Sequence, residues 1–153
     1  MYRVIITDTS CLILLEKIGE LHLLQKLFGT VFITPEIAEE YGLLSLPSWI
    51  VVQEPADKRY QLLLEYIVDR GEASAIALAT ECNPSLLVVD DLKARRLAKK
   101  FGLVITGTFG IIIEAKANGF IPSVKLILKK IKQTNFRISE DLEKEILKKS
   151  GEL

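Results

Sequence analysis

Aspartates that directly follow short apolar runs are the residues best suited to chemistry in this sequence. Asp8 follows the run VIIT at positions 4–7, and the pair Asp90-Asp91 follows the run LLVV at positions 86–89. A carboxylate beside a buried strand is costly to desolvate unless it is paired or bound to a cation. Carboxylates gathered within about 4–6 Å also repel one another and raise each other's pKa when no cation is present. These positions therefore predict a cation bound among acidic side chains.

Other acidic residues stand on predicted helices near this cluster, namely Glu36, Glu39, Glu40 and Glu72. Carboxylates without histidine or cysteine partners suit Mg²⁺ or Mn²⁺. The chain has one histidine, His22, and its two cysteines, Cys11 and Cys82, have no metal-ligand spacing, which argues against a zinc site. A magnesium-type site can activate water and stabilise charge on phosphate oxygens.

Each of these acids also has a simpler interpretation. Asp8 with Thr9 and Ser10 can cap the helix that follows, because these residue types favour the N-cap position. Asp90 and Asp91 can be an N-cap and a first-turn acid on a basic helix. The glutamates at 36, 39 and 40 are typical of a solvated helix face, and the same holds for Glu72. The functional hypothesis depends on the set, not on any one residue.

The elements that must position these residues alternate along the chain. Short apolar runs predict strands at 2–7, 30–33, 49–53, 86–89 and 104–105, and helical periodicity predicts helices at 10–18, 20–28, 35–41, 57–69, 72–81, 92–101, 108–118, 122–133 and from 139 onward. This alternation implies a three-layer α/β/α sandwich with a central, mostly parallel sheet. Ligands bind outside the carboxyl ends of such strands, where Asp8 and Asp90 would meet.

Composition narrows the class of protein. The 153 residues fit one domain, 49% of them are hydrophobic, and the formal net charge is zero. Polyanion binding must therefore come from a local patch. No apolar run is long enough to span a bilayer, and no secretory signal pattern opens the chain, so a cytoplasmic protein with reduced thiols is expected.

One predicted helix supplies such a patch directly after Asp91. Ala94, Leu97, Ala98 and Phe101 recur at helical spacing and should face the core. The exposed side then carries five cations: Lys93, Arg95, Arg96, Lys99 and Lys100. This face either contacts a nucleic acid backbone or is an ordinary solvated surface.

An ordered series of motifs resembles a PIN domain of the VapC-like ribonuclease type. The matching segments are IITDTS at 5–10, ITPEIAEE at 33–40, RGEASAIALA at 70–79, LVVDDLKARRLA at 87–98 and TGTFG at 106–110. They span roughly residues 4 to 113, in the order and spacing of that family. The resemblance implies a PIN-like fold over residues 1–153, with helices from about 122 packing on it or contacting a partner.

The resemblance also implies an activity and a set of site residues. The activity is a Mg²⁺- or Mn²⁺-dependent endoribonuclease, commonly the toxin of a toxin–antitoxin pair, with an antitoxin protein as partner and a homodimer as the assembly. Asp8, Glu40, Glu72 and Asp90 would be catalytic metal ligands, with Asp91 as an alternative or additional ligand to Asp90. Glu72 stands where the family often has Asp. Ser10, Thr106 and Thr108 would support these ligands.

Three other protein classes remain for comparison. A haloacid-dehalogenase phosphatase needs a second Asp two residues after the first, and Ser10 stands there. Receiver domains carry their Asp pair after the first strand, whereas this pair follows a late one. A non-catalytic PIN-like module that binds RNA or a protein shares the fold but not the turnover, and only a cleavage assay separates it from a nuclease.

Overall fold

A sheet of five parallel strands forms the centre of the computed structural model, which describes residues 4–42 and 45–153. The strands are β1 (Val4–Thr7), β2 (Val31–Ile33), β3 (Ile50–Val52), β4 (Ser85–Val88) and β5 (Val104–Thr106), arranged in the order β3-β2-β1-β4-β5. β1 and β4 are buried along nearly their whole length because helices cover both faces. The predicted α/β/α sandwich is confirmed, and every pairing in this sheet is parallel.

Nine helices surround the sheet within the described ranges. They are α1 (Thr9–Lys17), α2 (His22–Phe28), α3 (Pro35–Tyr41), α4 (Lys58–Leu64), α5 (Arg70–Glu81), α6 (Leu92–Lys100), α7 (Thr108–Ala117), α8 (Val124–Lys132) and α9 (Glu140–Ser150). Their mutual contacts fall into two groups: α3, α4 and α6 contact α5, whereas α2, α8 and α9 contact α7. The first residues of the predicted strand 2–7 and positions 43–44 of the loop before β3 lie outside the described residues.

The helix predicted over 57–69 is shorter in the structure. It ends at Leu64, after which the amides of Tyr66 and Ile67 donate to the carbonyls three residues back and tighten the chain. Val68 then turns into the core, and Asp69 adopts an extended conformation that begins α5 two residues earlier than predicted. The apolar residues 66–68, which periodicity assigned to the helix, therefore lie in the connection between α4 and α5.

The alanine-rich helix α5 packs closely against β1 and β4. Its side chains from Ala73 to Ala79 are buried, and small side chains let the helix axis approach the sheet. This close approach brings the first turn of α5, with Gly71 and Glu72, towards the carboxyl end of the sheet, where the acidic residues lie.

The last two helices are tied to the rest of the chain through α7. Both α8 and α9 contact α7, and Glu152 accepts hydrogen bonds from the Val124 amide at 2.6 Å and from Ser123 Oγ at 2.7 Å. Lys116 of α7 lies 3.0 Å from the same carboxylate. Nowhere in residues 4–42 and 45–153 is a helix both long and apolar enough to cross a membrane.

Candidate metal centre

The order of the strands identifies one edge of the sheet as the place for a ligand. The chain runs from β1 outward through β2 to β3 and then returns to place β4 on the other side of β1. The chain segments that leave β1 and β4 therefore run away from each other, and a crevice opens between them at the carboxyl ends of these two strands. Asp8 ends β1 and Asp90 follows β4, so both aspartates stand at this crevice.

The Asp8 carboxylate is held by three hydrogen bonds. Its Oδ1 accepts from the Cys11 amide at 3.0 Å, which makes Asp8 the N-cap of α1. Its Oδ2 accepts from the Asp90 amide at 3.0 Å and from Ser10 Oγ at 3.0 Å. The capping interpretation of Asp8 is thus correct, but the second oxygen faces the other aspartate.

The Asp90 carboxylate lies beside that of Asp8. Its Oδ1 accepts from the Thr108 amide at 2.8 Å, and its Oδ2 accepts from Thr108 Oγ1 at 2.5 Å. Ser10 Oγ, 3.4 Å from Asp90 Oδ2, connects the two carboxylates. Ser10 and Thr108 therefore contact the two aspartates from the N-terminal ends of α1 and α7, and their supporting role stays a prediction.

Burial and the nearby charge of Asp90 change the pKa of Asp8. Desolvation by burial, followed by repulsion from Asp90, raises the pKa of Asp8 to about 6, even though three hydrogen bonds oppose the change. Only 5% of Asp8 is exposed. A like-charge pair with one buried and one half-buried carboxylate is stabilised by a proton or by a cation.

Asp91 has a different role from its neighbour. Its Oδ2 accepts from the Ala94 amide at 2.9 Å, so Asp91 is the N-cap of α6. Capping alone does not decide the matter, since Asp8 also caps a helix; the difference is that Asp90 contacts Asp8 and Ser10 at the crevice. This geometry favours Asp90 as the metal ligand of the two.

Glu40 reaches the crevice from α3. Its Oε1 accepts from Thr9 Oγ1 at 3.1 Å, and the carboxylate lies against the Cα of Gly71. A Cβ at position 71 would overlap Glu40 Oε1, so the absence of a side chain there makes room for the carboxylate. Sequence reasoning missed this function of Gly71, although its position directly before Glu72 was a usable signal.

Glu72 stands on the same side, half-buried in the first turn of α5. Desolvation, followed by repulsion from Asp69 and Asp91 and a smaller contribution from Asp8, raises the pKa of Glu72 to about 7. Glu72 is therefore within electrostatic reach of the aspartates. Across the two described ranges, however, no three His, Cys, Asp or Glu side chains come close enough to hold one ion together.

Comparison with known protein families gives a match over nearly the whole chain. The family model described as a PIN domain matches residues 4–152, nearly the whole chain. The chain belongs to the PIN-domain family. Neither the curated proteins nor the solved structures gave a significant match.

PIN domains are generally nucleases and typically bind divalent metals, so the acidic crevice fits the family at that level. The donor set fits as well, because two carboxylates flanked by hydroxyls are hard oxygen ligands of the kind that Mg²⁺ and Mn²⁺ accept. Mg²⁺ commonly takes one or two protein carboxylates and completes its shell with water and substrate phosphate. In this PIN domain Asp8 and Asp90 would supply those carboxylates.

Arg95 departs from the predicted exposed face of α6. The residue is half-buried, and its Nη1 donates to the carbonyl of Val89 at 2.8 Å. Its long side chain reaches back from the flank of the helix to the end of β4. Lys93, Arg96, Lys99 and Lys100 are exposed as predicted, whereas Phe101, expected in the core, is 41% exposed.

Thr106 and Gly110 are packed against each other where β5 leads into α7. Thr106 is half-buried, and its Oγ1 occupies the space that a Cβ on Gly110 would need. Thr106 has no hydrogen bond to Asp8 or Asp90 in the structure, unlike Thr108. Its predicted supporting role stays a prediction.

Glu36 was expected on a solvated helix face, and that expectation is wrong. The side chain is only 7% exposed, and its Oε2 accepts from Gln61 Nε2 at 2.5 Å. Periodicity could not show this because the covering residue belongs to α4. Glu39, by contrast, is exposed and lies 3.8 Å from Arg70 Nη1.

We expect Gly71→Ala to lower nuclease activity without lowering stability. The new methyl group would displace the exposed Glu40 carboxylate, since a flexible side chain moves more easily than a helix. Alanine is also favoured over glycine in a helix by up to about 1 kcal/mol. The cleavage rate should therefore fall about tenfold, which corresponds to a rise of about 1.4 kcal/mol in activation free energy. The midpoint of thermal unfolding should stay the same or rise.

The partner variant Glu40→Gln tests the cause of this loss. If Gly71 acts by making room for Glu40, the double variant should be about as active as Glu40→Gln alone, because the two changes remove one interaction. Independent, multiplying losses in the double variant would contradict this role of Gly71.

Proposed function

We propose that this PIN domain is a Mg²⁺- or Mn²⁺-dependent endoribonuclease that hydrolyses phosphodiester bonds of RNA at the crevice between β1 and β4. The observation that carries the proposal is the juxtaposition of Asp8 and Asp90 at the topological switch point, connected by Ser10. The family supports a nuclease in general. The choice of RNA and of these metals is our own inference.

The residues of the chain divide the work in this proposal. Asp8 and Asp90 hold the cation, and Ser10 and Thr108 fix the orientation of their oxygens. When bound, Mg²⁺ or Mn²⁺ polarises the phosphate and lowers the pKa of a bound water. Glu40 and Glu72 border the crevice from α3 and α5. Glu72, whose pKa desolvation and Asp69 raise to about 7, would give up its proton and add a negative charge beside the crevice when a cation is bound there.

The experiment is incubation of the purified protein with a panel of single-stranded RNAs, with and without Mg²⁺ or Mn²⁺. We expect internal cleavage that requires the metal and stops when a chelator is added. Metal-dependent binding of RNA without any cleavage would favour the alternative of a non-catalytic RNA-binding module. One observation favours this alternative: among the described residues, no three carboxylates lie close enough together to hold one ion.

The exposed cations of α6 would contact the RNA backbone. Lys93, Arg96 and Lys100 are spaced three and four residues apart, so they share one side of the helix that begins beside Asp90. Lys99 extends the same surface. Arg95 would contribute from the inner edge of this surface, next to the end of β4.

We expect the variant Arg96→Ala/Lys100→Ala to bind RNA more weakly and with a smaller salt dependence. Each lost phosphate contact should reduce the slope of log K against log salt by about 0.7 for single strands. Two lost contacts should therefore reduce it by about 1.4. The measurement is fluorescence anisotropy without metal at several salt concentrations, with Lys129→Ala of α8 as an exposed control.

An unchanged slope in the α6 variant would remove this helix from the binding surface. An equal reduction in the Lys129→Ala control would show that overall charge, rather than α6, governs the affinity.

We also propose that the protein is the toxin of a cytoplasmic toxin–antitoxin pair and forms a homodimer. The apolar residues of α1 and α2 offer little surface for a dimer, because residues such as Leu12, Leu15 and Leu24 are fully buried in the core. A better surface is the apolar patch formed by Leu62, Leu63, Tyr66 and Ile67, whose exposure ranges from 44% to 89%. Exposed patches of this kind mark contact sites for a second protein. Inspection of the neighbouring reading frame for an antitoxin tests the first proposal. Light scattering, which measures the mass in solution, tests the homodimer.

A further inference from the structure

A cavity of about 530 Å³ opens directly beside Asp90. It lies between the β5–α7 connection and α9, and Asp90, Arg95 and Gly107 are among the residues that line it. A Cβ at position 107 would come within 2.8 Å of Asp90 Oδ1 and 2.9 Å of Arg95 Nη1, so the cavity meets the acidic crevice at that glycine. The volume is in the range of sites that bind small organic groups.

The walls of the cavity are apolar and partly aromatic. Phe109 and Phe136 meet edge to face with ring centroids 6.2 Å apart, and Phe136 remains 40% exposed. Aliphatic side chains complete the walls: Leu92, Ile105, Ile113, Leu142 and Ile146. A flat group with apolar faces would bury its surface here, and the ring of Phe136 could stack on it.

Charged residues from the C-terminal part of the chain also line the same cavity. Arg137 directly follows Phe136, and Lys149 lies 3.2 Å from Glu145. No carboxylate within the described ranges lies within ion-pair distance of Arg137. Proteins that bind single-stranded nucleic acids combine an aromatic residue, which stacks on a base, with a cation such as arginine, which contacts the backbone.

We propose that this cavity takes one unstacked nucleobase of the RNA, from the nucleotide adjoining the scissile phosphate. The inference rests on the proposed ribonuclease function, because a phosphate held at Asp8 and Asp90 places its neighbouring base at the mouth of the cavity. Phe136 would stack on the base, and Arg137 would contact the backbone. Glu145 provides acceptor oxygens for amino or imino groups on the edge of the base.

The test compares cleavage of single-stranded RNAs that are identical except for one abasic nucleotide, moved position by position around a mapped cleavage site. The proteins are the wild type, Phe136→Ala, Phe136→Tyr and the control Phe120→Ala. Phe120 is 37% exposed, much like Phe136, and does not line the cavity. Thermal unfolding of each variant reports on its fold.

We expect Phe136→Ala to lower kcat/KM on intact RNA about tenfold, within a range of roughly 5- to 100-fold for one lost stacking contact. An abasic nucleotide at one position beside the cleaved bond should lower kcat/KM of the wild type by a similar factor. The same abasic RNA should lower kcat/KM of Phe136→Ala little further. Phe136→Tyr, which keeps a ring, should retain the dependence on that base, and Phe120→Ala should behave as the wild type.

Distinct results overturn the inference. If the wild type cleaves RNA but Phe136→Ala cleaves equally well, or loses the same factor at every abasic position as the wild type, the cavity does not take a base, and the nuclease proposal stands. A cavity that receives a protein partner instead gives this result. If the wild type cleaves no RNA under any metal condition, the proposed function fails, and the inference fails with it.

Discussion

Replacement of Asp8 by Asn should reduce metal-dependent RNA cleavage by about a thousandfold or more. A cation at this site contributes several kcal/mol of transition-state stabilisation, and about 4 kcal/mol corresponds to a thousandfold in rate. The fold should survive, because Asn caps helices as well as Asp and its Oδ1 can keep the bond from the Cys11 amide. Cleavage rates at saturating Mn²⁺ and circular dichroism measure the two effects.

Matched variants identify the carboxylates that matter. Asp90→Asn should resemble Asp8→Asn, whereas Asp91→Asn should retain activity within about tenfold, since Asn preserves the cap on α6. The control Asp141→Asn changes an exposed acid on α9 and should have no effect. Full activity of Asp8→Asn would refute the proposed catalytic role. A larger loss in Asp91→Asn than in Asp90→Asn would reverse the assignment of the metal ligand.

The second large effect concerns stability as a function of pH and metal. The pKa of Asp8 is raised by burial and by Asp90 to about 6, above its ordinary value of 3.8. The stabilisation that comes from protonating this carboxyl is fully present below the unfolded-state pKa and is lost as pH rises through about 6. The metal-free protein should therefore lose up to about 3 kcal/mol of unfolding free energy between pH 4 and pH 7.5 from this group.

Glu72 acts in the same direction at slightly higher pH. Because its pKa is raised from 4.5 to about 7, its contribution is lost as pH rises through neutrality, although solvent screening of this half-buried side chain reduces its size. At pH 7.5 a divalent cation should restore stability, by about 2.7 kcal/mol when its concentration is a hundred times its dissociation constant. Urea unfolding with and without Mg²⁺ at pH 4 and pH 7.5 measures both changes.

The control for this linkage is Asp8→Asn. Without the Asp8 charge, the variant should show a shallower decline of stability with pH and little gain from Mg²⁺. A wild-type protein whose stability is independent of pH in this range, or a variant that gains as much from Mg²⁺ as the wild type, would contradict the idea that Asp8 and Asp90 repel each other until a cation binds.

The sequence predicts the elements well, because each strand is a short apolar run bounded by turn residues. Parallel pairing follows from the alternation of strands and helices. The strand order does not follow, because it depends on which side of β1 receives β4. That choice creates the crevice, so the sequence can gather Asp8 and Asp90 at one edge but cannot place them on adjacent strands.

The sequence indicates a candidate site residue most clearly where that residue directly follows a strand. It is less informative where a side chain can point in either of two directions. The sequence favours Asp90 over Asp91 as a ligand only because Asp90 is closer to the strand end. The structure adds that Asp91 accepts from the Ala94 amide, whereas Asp90 lies beside Ser10 and Asp8. Arg95 looks like its basic neighbours, yet its guanidinium folds back onto the Val89 carbonyl. Phe136 lies more than forty residues after Asp90, so no local pattern could connect the two.

The most direct test is a crystal structure of the protein soaked in Mn²⁺, with anomalous diffraction data to locate the ion. We expect an anomalous peak between the carboxylates of Asp8 and Asp90, within coordination distance of both, and no such peak in crystals of Asp8→Asn. A peak elsewhere in the molecule, or no peak at this pair under conditions in which the protein cleaves RNA, would contradict the proposed metal centre.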